Sequence, residues 1–487
     1  MTAGEIIFVP FPHPGHLFPA TELCRRLAER NFKITLILPS ATSSPPPSLH
    51  PLIHTLLLPI ADPIRIDPSF LDITLPNFLF HLLADRRDNS SLPLCAVVDE
   101  MISWIAATFI DFAVPAVSFF TSSAISSALE HALRQIPASE LTGDFALSVE
   151  GLPEAVVFNS YDLENHRKSS GPPPFGPRRA QDGRPRRRRD IASTEGAVGL
   201  IMNTCADLEG PFLDYVSRVA LKPVWAVGPL LPDKVWSTVT SPVRDAEVRA
   251  ARPDDGHNEA MVLSWLDSKP RGSVVYVSFG SLVGPSDAEL EELAAGLEES
   301  GRPFVWVIQP GARQHEPNGR PFEAAGSGYF PEGMQERVEG RGMVLKGWAP
   351  QLLILTHPST GGYVCHCGWN SALEAMACGV PVLAWPVRGD QMNNAKLLIS
   401  QLKVGMPVRK APGASVSRAD VVQGIENLLT DEEMRMRATA VRSVFAGGLP
   451  RSSAEALDAC LRFVSSNSIN EIKKEMSITS QCNCAYS

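Results

Sequence analysis

No stretch of about 18 uncharged apolar residues occurs in this chain of 487 residues, so no membrane span is expected. The N-terminus, MTAGEIIFVPFPHPGH, has no basic stretch ahead of its apolar run, and prolines interrupt that run. No signal peptide is therefore expected. A disulfide framework is also lacking. The nine cysteines are odd in number and loosely scattered, which points to a reducing, cytoplasmic compartment. Positive charge is short: the net charge is −9, and a general nucleic-acid binder needs clustered Lys and Arg. The one basic run, Arg186–Arg189, sits in the Pro/Gly/Arg-rich segment Ser169–Asp190. It reads as a solvated, disordered loop rather than a nucleic-acid patch. No Gly-x-Gly-x-x-Gly turn with an acid about 20 residues on is present, which argues against a nucleotide-dependent dehydrogenase. No Asp-x-Asp stands at a strand end. Cys365-His366-Cys367 has no second ligand pair at the usual spacing, and His131, His357 and His366 form no constellation. No metal and no cofactor are expected.

What is present is ordinary globular composition, 44% hydrophobic and 20% charged, in a chain long enough for two large domains at about 100–200 residues each. The start reads as strand Ile6–Val9, loop Pro10–His16, helix Pro19–Arg30 and strand Lys33–Leu38, the βαβ rhythm of an open parallel sheet. Strand Cys95–Val98, helix Ile102–Phe112 and strand Ala116–Phe119 repeat it, and Gly199–Asn203 reads as a further strand. Residues 230–258 turn polar and Pro-rich and read as a linker. Order returns with helix Glu259–Leu266, strand Ser273–Ser278, helix Asp287–Ser300 and strand Pro303–Ile308. Strands also fit Met343–Lys346, Gly362–Cys365 and Val382–Trp385. The fold class is α/β: two halves, 1–229 and 259–464, facing across a cleft, with ligands beyond the carboxyl ends of the strands. The tail 465–487 has no apolar period and reads as disordered.

The most informative segment is WAPQLLILTHPSTGGYVCHCGWNSALEAMACGVPVLAWPVRGDQ, Trp348–Gln391. His366, Gly368, Trp369, Asn370 and Ser371 lie at a strand-to-helix turn. A helix runs from there through Glu374 to Cys378, and Gly379-Val-Pro stops it. A helix N-terminus offers free N–H groups and a positive dipole, which suits a phosphate. Gly368 lets the backbone come close, and His366 and Ser371 add side-chain donors. Glu374, one turn on, is placed for ribose hydroxyls, and Trp348 offers a flat face for a base.

The whole segment, from Trp-Ala-Pro-Gln to Asp-Gln, resembles the signature box of the plant secondary product glycosyltransferases, the UDP-dependent family 1 enzymes. The resemblance extends to SVVYVSFGS at Ser273–Ser281 and to about Val464. It is looser over PFPHPGHLFP, VVDE and the segment around Asn203–Glu209. It implies the GT-B arrangement of two Rossmann-like, doubly wound parallel-sheet domains, with UDP-sugar, expected to be UDP-glucose, as cosubstrate. Carried over position by position, Trp348 stacks on uracil, the Ala349 backbone reads its edge, and Gln351 and Glu374 hold ribose. Ser281, His366, Asn370 and Ser371 hold the diphosphate. Trp369, Asp390 and Gln391 hold the sugar hydroxyls, Thr121 lies near sugar and phosphate, and Gly389 lies near sugar and acceptor. His16 matches the catalytic histidine and Asp99 its carboxylate partner.

The implied reaction is an inverting transfer to a hydroxyl of a small hydrophobic acceptor (a flavonoid, phenolic or terpenoid) by a monomer. A histidine with a near-neutral pKa can take the hydroxyl proton, and a carboxylate fixes its tautomer. Read without the resemblance, Asp99 is equally a helix cap, and Trp348 and Trp369 are core aromatics. A GT-B binding protein for nucleotide-sugar or phenolic ligands that has lost turnover is the alternative. The chain departs from the family at Pro14, where Gln or a small polar residue is usual, at Cys365, where Thr is common, and at Arg388-Gly389, which replaces a more apolar pair.

Overall fold

The computed structural model describes residues 2–39, 50–58, 70–136, 145–147, 151–152, 156–158, 162–163, 166, 191, 194, 196–236, 243, 259–280, 284–309, 329–409 and 414–466. The Arg-rich segment 169–190, most of the linker and the tail beyond Ser466 lie outside them, as does Ser281.

The N-terminal strands are β1 (Glu5–Val9), β2 (Lys33–Pro39), β3 (Ile53–Leu58), β4 (Cys95–Asp99), β5 (Ala116–Phe120), β8 (Gly199–Met202) and β9 (Val224–Ala226), with β6 (Phe145–Leu147) and β7 (Val156–Phe158) forming a separate antiparallel pair. The seven-stranded sheet has the order β3-β2-β1-β4-β5-β8-β9, and every pairing in it is parallel. The C-terminal strands are β10 (Val274–Ser278), β11 (Phe304–Ile308), β12 (Gly342–Lys346), β13 (Thr360–Cys365), β14 (Val382–Ala384) and β15 (Gly405–Pro407). They form a second parallel sheet, β12-β11-β10-β13-β14-β15. β1, β4, β5 and β10 are buried along almost their whole length. Helices cover both faces of such sheets, so the strands read as continuous apolar runs rather than alternating ones. In each sheet the strand order reverses once, between β1 and β4 and between β10 and β13. Ligands bind outside the carboxyl ends of the strands at such points.

Several boundaries differ from expectation. The first helix begins at Pro14, not Pro19, so His16 lies in its first turn rather than in a loop. His13 is its N-cap, Nδ1 accepting from the Gly15 N–H at 3.3 Å. Pro14 occupies the start of the helix, where a missing N–H costs nothing. The interior Pro19 made the sequence read as a helix start, because proline normally ends or opens a helix. The segment after β4 is a 3₁₀ turn, Glu100–Ile105, followed by a short helix, Ala106–Asp111. β3, β9 and β15 were not expected. β9 and β15 have three residues each, too few for a period to show.

The last helix, Arg451–Ser466, follows the C-terminal sheet in sequence but packs on the N-terminal one. Leu457, Cys460, Leu461 and Val464 share an apolar cluster with β1, β2 and Trp225. Arg30 Nε donates to Asp458 Oδ1 at 2.6 Å, and Ser453 Oγ to the Gly228 carbonyl at 2.5 Å. The boundary region is also apolar. Helices Ala124–Gln135 and Ala206–Ala220 pack in one cluster with helix Trp369–Cys378.

Glu209 anchors this region. It is fully buried and accepts from the Ala124 and Ile125 N–H groups at 2.9 and 2.8 Å. It thereby satisfies two of the four free donors at the start of helix Ala124–Gln135. Burial pushes its carboxyl pKa up. Glu209→Ala leaves both N–H groups without that acceptor and should destabilise the fold by about 2–4 kcal/mol. Denaturant unfolding of the purified variant measures it, and an unchanged midpoint would refute the anchoring role.

Candidate active site

Three neighbouring strands of the first sheet deliver the first half of the site. His16 follows β1, Asp99 ends β4 and Thr121 follows β5. His16 Nδ1 lies 2.8 Å from Asp99 Oδ2, and Thr121 Oγ1 lies 3.1 Å from the same nitrogen. Asp99 is fully buried. Its other oxygen, Oδ1, accepts from the Met101 N–H at 2.9 Å and caps the 3₁₀ turn. The cap and the histidine partner are thus one residue, each role using one oxygen. A carboxylate only accepts, so Nδ1 carries the proton toward it and Nε2 keeps its lone pair. That is the tautomer of a general base. The imidazole is fixed further by an edge contact from Phe11, with ring centroids 5.2 Å apart.

The second half comes from the carboxyl ends of β10, β12, β13 and β14. Helix Trp369–Cys378 starts directly after the β13 turn. Its N-cap is Gly368, which provides no side-chain cap, so the first N–H groups of the helix meet no side-chain acceptor from that position. His366 is buried, and among the described residues its Nδ1 finds no hydrogen-bond partner. Its ring lies in a cradle of two glycines: a Cβ on Gly280 or Gly368 would stand 2.7 or 2.4 Å from Nε2. Any side chain at Gly368 would displace the imidazole. Cys367 between them has a left-handed backbone, φ 62°, and its carbonyl accepts from Asn394 Nδ2 at 2.9 Å.

Gln351 and Glu374 are joined, Nε2 to Oε2, at 2.7 Å, and Gln351 Nε2 also reaches Ser371 Oγ at 3.1 Å. Trp348 and Ala349 precede them in the loop after β12, Trp348 half-buried and Ala349 buried. Gly389, with φ 66°, and Asp390 lie in the loop after β14. Gln391 Oε1 accepts from the backbone N–H groups of Val387 and Arg388 at 2.9 and 3.0 Å. Its amide orientation is set by those two donors, so it offers N–H groups, not its oxygen, to anything placed beside it.

The two halves touch at the site itself. Asn370 Nδ2 donates to the Gly15 carbonyl at 2.7 Å. Pro19 lacks the N–H that would normally bond that carbonyl within the helix. Trp369 Nε1 donates to the Asn203 carbonyl at 2.7 Å, so its indole is a bridge between domains. Ser123 Oγ bonds Asn394 Oδ1 at 2.5 Å, and Asn394 Nδ2 reaches Asp390 Oδ2 at 3.2 Å. Asn203, Ser123 and Asn394 were not singled out from the sequence. Each acts through a partner in the other domain that no local pattern announces. Among the described residues, no group of three or more His, Cys, Asp or Glu is placed to hold a metal ion, and no helix is long and apolar enough to cross a membrane.

Two parallel α/β domains, each with its switch point turned to a shared cleft, and a helix N-terminus opposite a His–Asp pair define a GT-B glycosyltransferase. The chain belongs to the plant family 1 UDP-glycosyltransferases, enzymes that use a UDP-sugar as cosubstrate. The family described as UDP-glucoronosyl and UDP-glucosyl transferase matches residues 241–444. An abscisate β-glucosyltransferase of Phaseolus angularis is 32% identical over 93% of this chain and 96% of its own length. An anthocyanin 3′-O-β-glucosyltransferase of Gentiana triflora is 30% identical over 93% and 97%. The crystal structure of Medicago truncatula UGT71G1 complexed with UDP-glucose superposes with a TM-score of 0.68, at 26% identity, covering 95% of this chain and 98% of that one.

Proposed function

We propose that this chain transfers glucose from UDP-glucose to a hydroxyl of a small hydrophobic plant metabolite, a flavonoid, phenolic or terpenoid, giving a β-glucoside. The observation that carries the proposal is the buried Asp99 holding His16 at 2.8 Å, on a helix tied to the start of the opposing helix by Asn370. In this reading residues 1–229 bind the acceptor and 259–464 the donor. Uracil stacks on Trp348 beside the Ala349 backbone, and ribose lies against Gln351 and Glu374. The diphosphate sits at Gly368–Ser371, where free helix N–H groups, His366 and Asn370 stabilise the negative charge that develops on UDP as it leaves. Thr121, on the Nδ1 side of His16, lies near sugar and phosphate. His16 Nε2 takes the acceptor proton as the oxygen attacks the anomeric carbon from the face opposite UDP, so configuration inverts. Trp369 contributes its backbone at the turn, because its indole N–H is engaged with Asn203. Asp390 and Gln391 hold the glucose hydroxyls, with Gly389 beside sugar and acceptor.

The donor follows from Gln391. With its oxygen held by two backbone N–H groups, its Nε2 donates to equatorial hydroxyls of glucose. An axial hydroxyl would need a partner elsewhere. UDP-glucose should exceed UDP-galactose and UDP-glucuronate in kcat/KM by about tenfold or more. The test is turnover of the three donors with a panel of phenolic acceptors, products identified by mass. A clear preference for another donor would overturn the glucose assignment, and no product with any donor would favour a binding protein.

A further inference from the structure

Two tyrosines from neighbouring strands meet beneath the ribose-binding pair. Tyr276 of β10 and Tyr363 of β13 are register partners. Both are almost completely buried, and their rings stack with centroids 4.7 Å apart and planes inclined by 26°. Their hydroxyls converge on one atom, Gln351 Oε1, at 3.1 and 3.2 Å. Two strands of apolar core thus carry two phenols whose oxygens share a single acceptor. Burial raises the Tyr363 pKa well above the ordinary phenol value, so the hydroxyl keeps its proton and donates.

The consequence runs through the amide. A glutamine side chain can be turned by 180° with almost no change of shape, exchanging its oxygen for its NH₂. The exchanged state would set the amide oxygen against the Glu374 carboxylate, which only accepts, and would take from the two phenol donors the acceptor they share. Gln351 Nε2 is therefore directed at Glu374 Oε2, 2.7 Å away, and at Ser371 Oγ, 3.1 Å away. Glu374 is almost completely buried, and a buried carboxylate needs directed donors to hold one orientation.

We infer that Tyr276 and Tyr363 are positioning residues: by fixing the Gln351 amide, they fix the Glu374 carboxylate in the orientation that reads the ribose hydroxyls of the donor. The inference rests on the proposed placement of ribose at Gln351 and Glu374. Each acts through Gln351 by donating to its Oε1, and the Tyr363 hydroxyl also lies beside that of Ser371. Replacing either with Phe keeps the stacked rings and removes one oxygen.

The test compares the binding of UDP and 2′-deoxy-UDP by calorimetry to the wild-type chain, to Tyr276→Phe, to Tyr363→Phe and to the double variant. Wild type should favour UDP by roughly tenfold or more, the range of a hydrogen bond to a charged group. The double variant should lose most of that ratio by weakening UDP, with 2′-deoxy-UDP little changed. The single variants, each keeping one phenol donor, should fall between and carry the same test if the double variant is too unstable to purify. A general loss of structure would weaken both ligands equally and leave the ratio intact, which would overturn the positioning role. A double variant with the wild-type ratio would overturn it as well. If wild type itself binds both ligands equally, the ribose placement fails first and the inference falls with it.

Discussion

His16→Ala should lower turnover on an aliphatic alcohol by roughly 10²–10⁴-fold, the range typical of a lost general base, while UDP affinity stays close to wild type. The nucleotide contacts proposed above lie on the other domain, so the two effects separate. Asp99→Asn should act through the tautomer. Asn is as good an N-cap as Asp, so its oxygen can keep the Met101 N–H at the position Oδ1 holds now. Its NH₂ then faces His16 Nδ1, 2.8 Å from the present Oδ2, and the imidazole must carry its proton on Nε2. A base protonated at its working atom accepts nothing, so kcat should fall with KM little changed. The double variant should be only slightly worse than His16→Ala, because the pair acts as a unit. A phenol acidic enough to arrive partly ionised should depend less on His16 than an alcohol does. The decisive set is kcat and KM for the four proteins with one acidic phenol and one alcohol. His16→Ala with near-full activity on the alcohol would mean that another group removes the proton.

The parts of this site that could be read from sequence are those that local chemistry defines. Glycine and small polar residues after an apolar strand announced the turn at Gly368–Ser371, and the helix that follows is there. The βα rhythm alone placed His16 and Asp99 at one edge of one sheet. What could not be read depends on partners distant in sequence. Pro19 looked like the start of a helix because its effect on the Gly15 carbonyl becomes meaningful only when Asn370 arrives from the other domain. The bond from the Trp369 indole to the Asn203 carbonyl joins residues 166 positions apart. Tyr276 and Tyr363 were two apolar positions in two strands until pairing stacked them. The last helix, Arg451–Ser466, gave no sign in its residues that it would return to the first domain, because an amphipathic face records that it is buried and not what it meets.

The contact between domains yields the second large effect. Asn370→Asp should reduce transfer to an alcohol by roughly 10²-fold or more, the cost of setting a charge against a carbonyl acceptor and an incoming diphosphate. The wild-type amide donates to a carbonyl that Pro19 has deprived of its helical donor, at 2.7 Å. A carboxylate there has nothing to donate, so oxygen would face oxygen and the helix bearing His16 would be pushed from the donor turn. Asn370→Ala removes the donor without adding repulsion and should cost about tenfold. Diphosphate binding and the clasp on Gly15 can be told apart by acceptor. Loss of a phosphate contact alone weakens transfer to an acidic phenol and to an alcohol by the same factor. Displacement of His16 harms the alcohol more, because only the alcohol needs its proton removed. The measurements are kcat/KM for both acceptors and UDP affinity in the two variants. A larger loss on the alcohol supports the clasp. Equal losses on both acceptors would confine Asn370 to the diphosphate, and an Asn370→Asp protein with near wild-type transfer would remove it from the site.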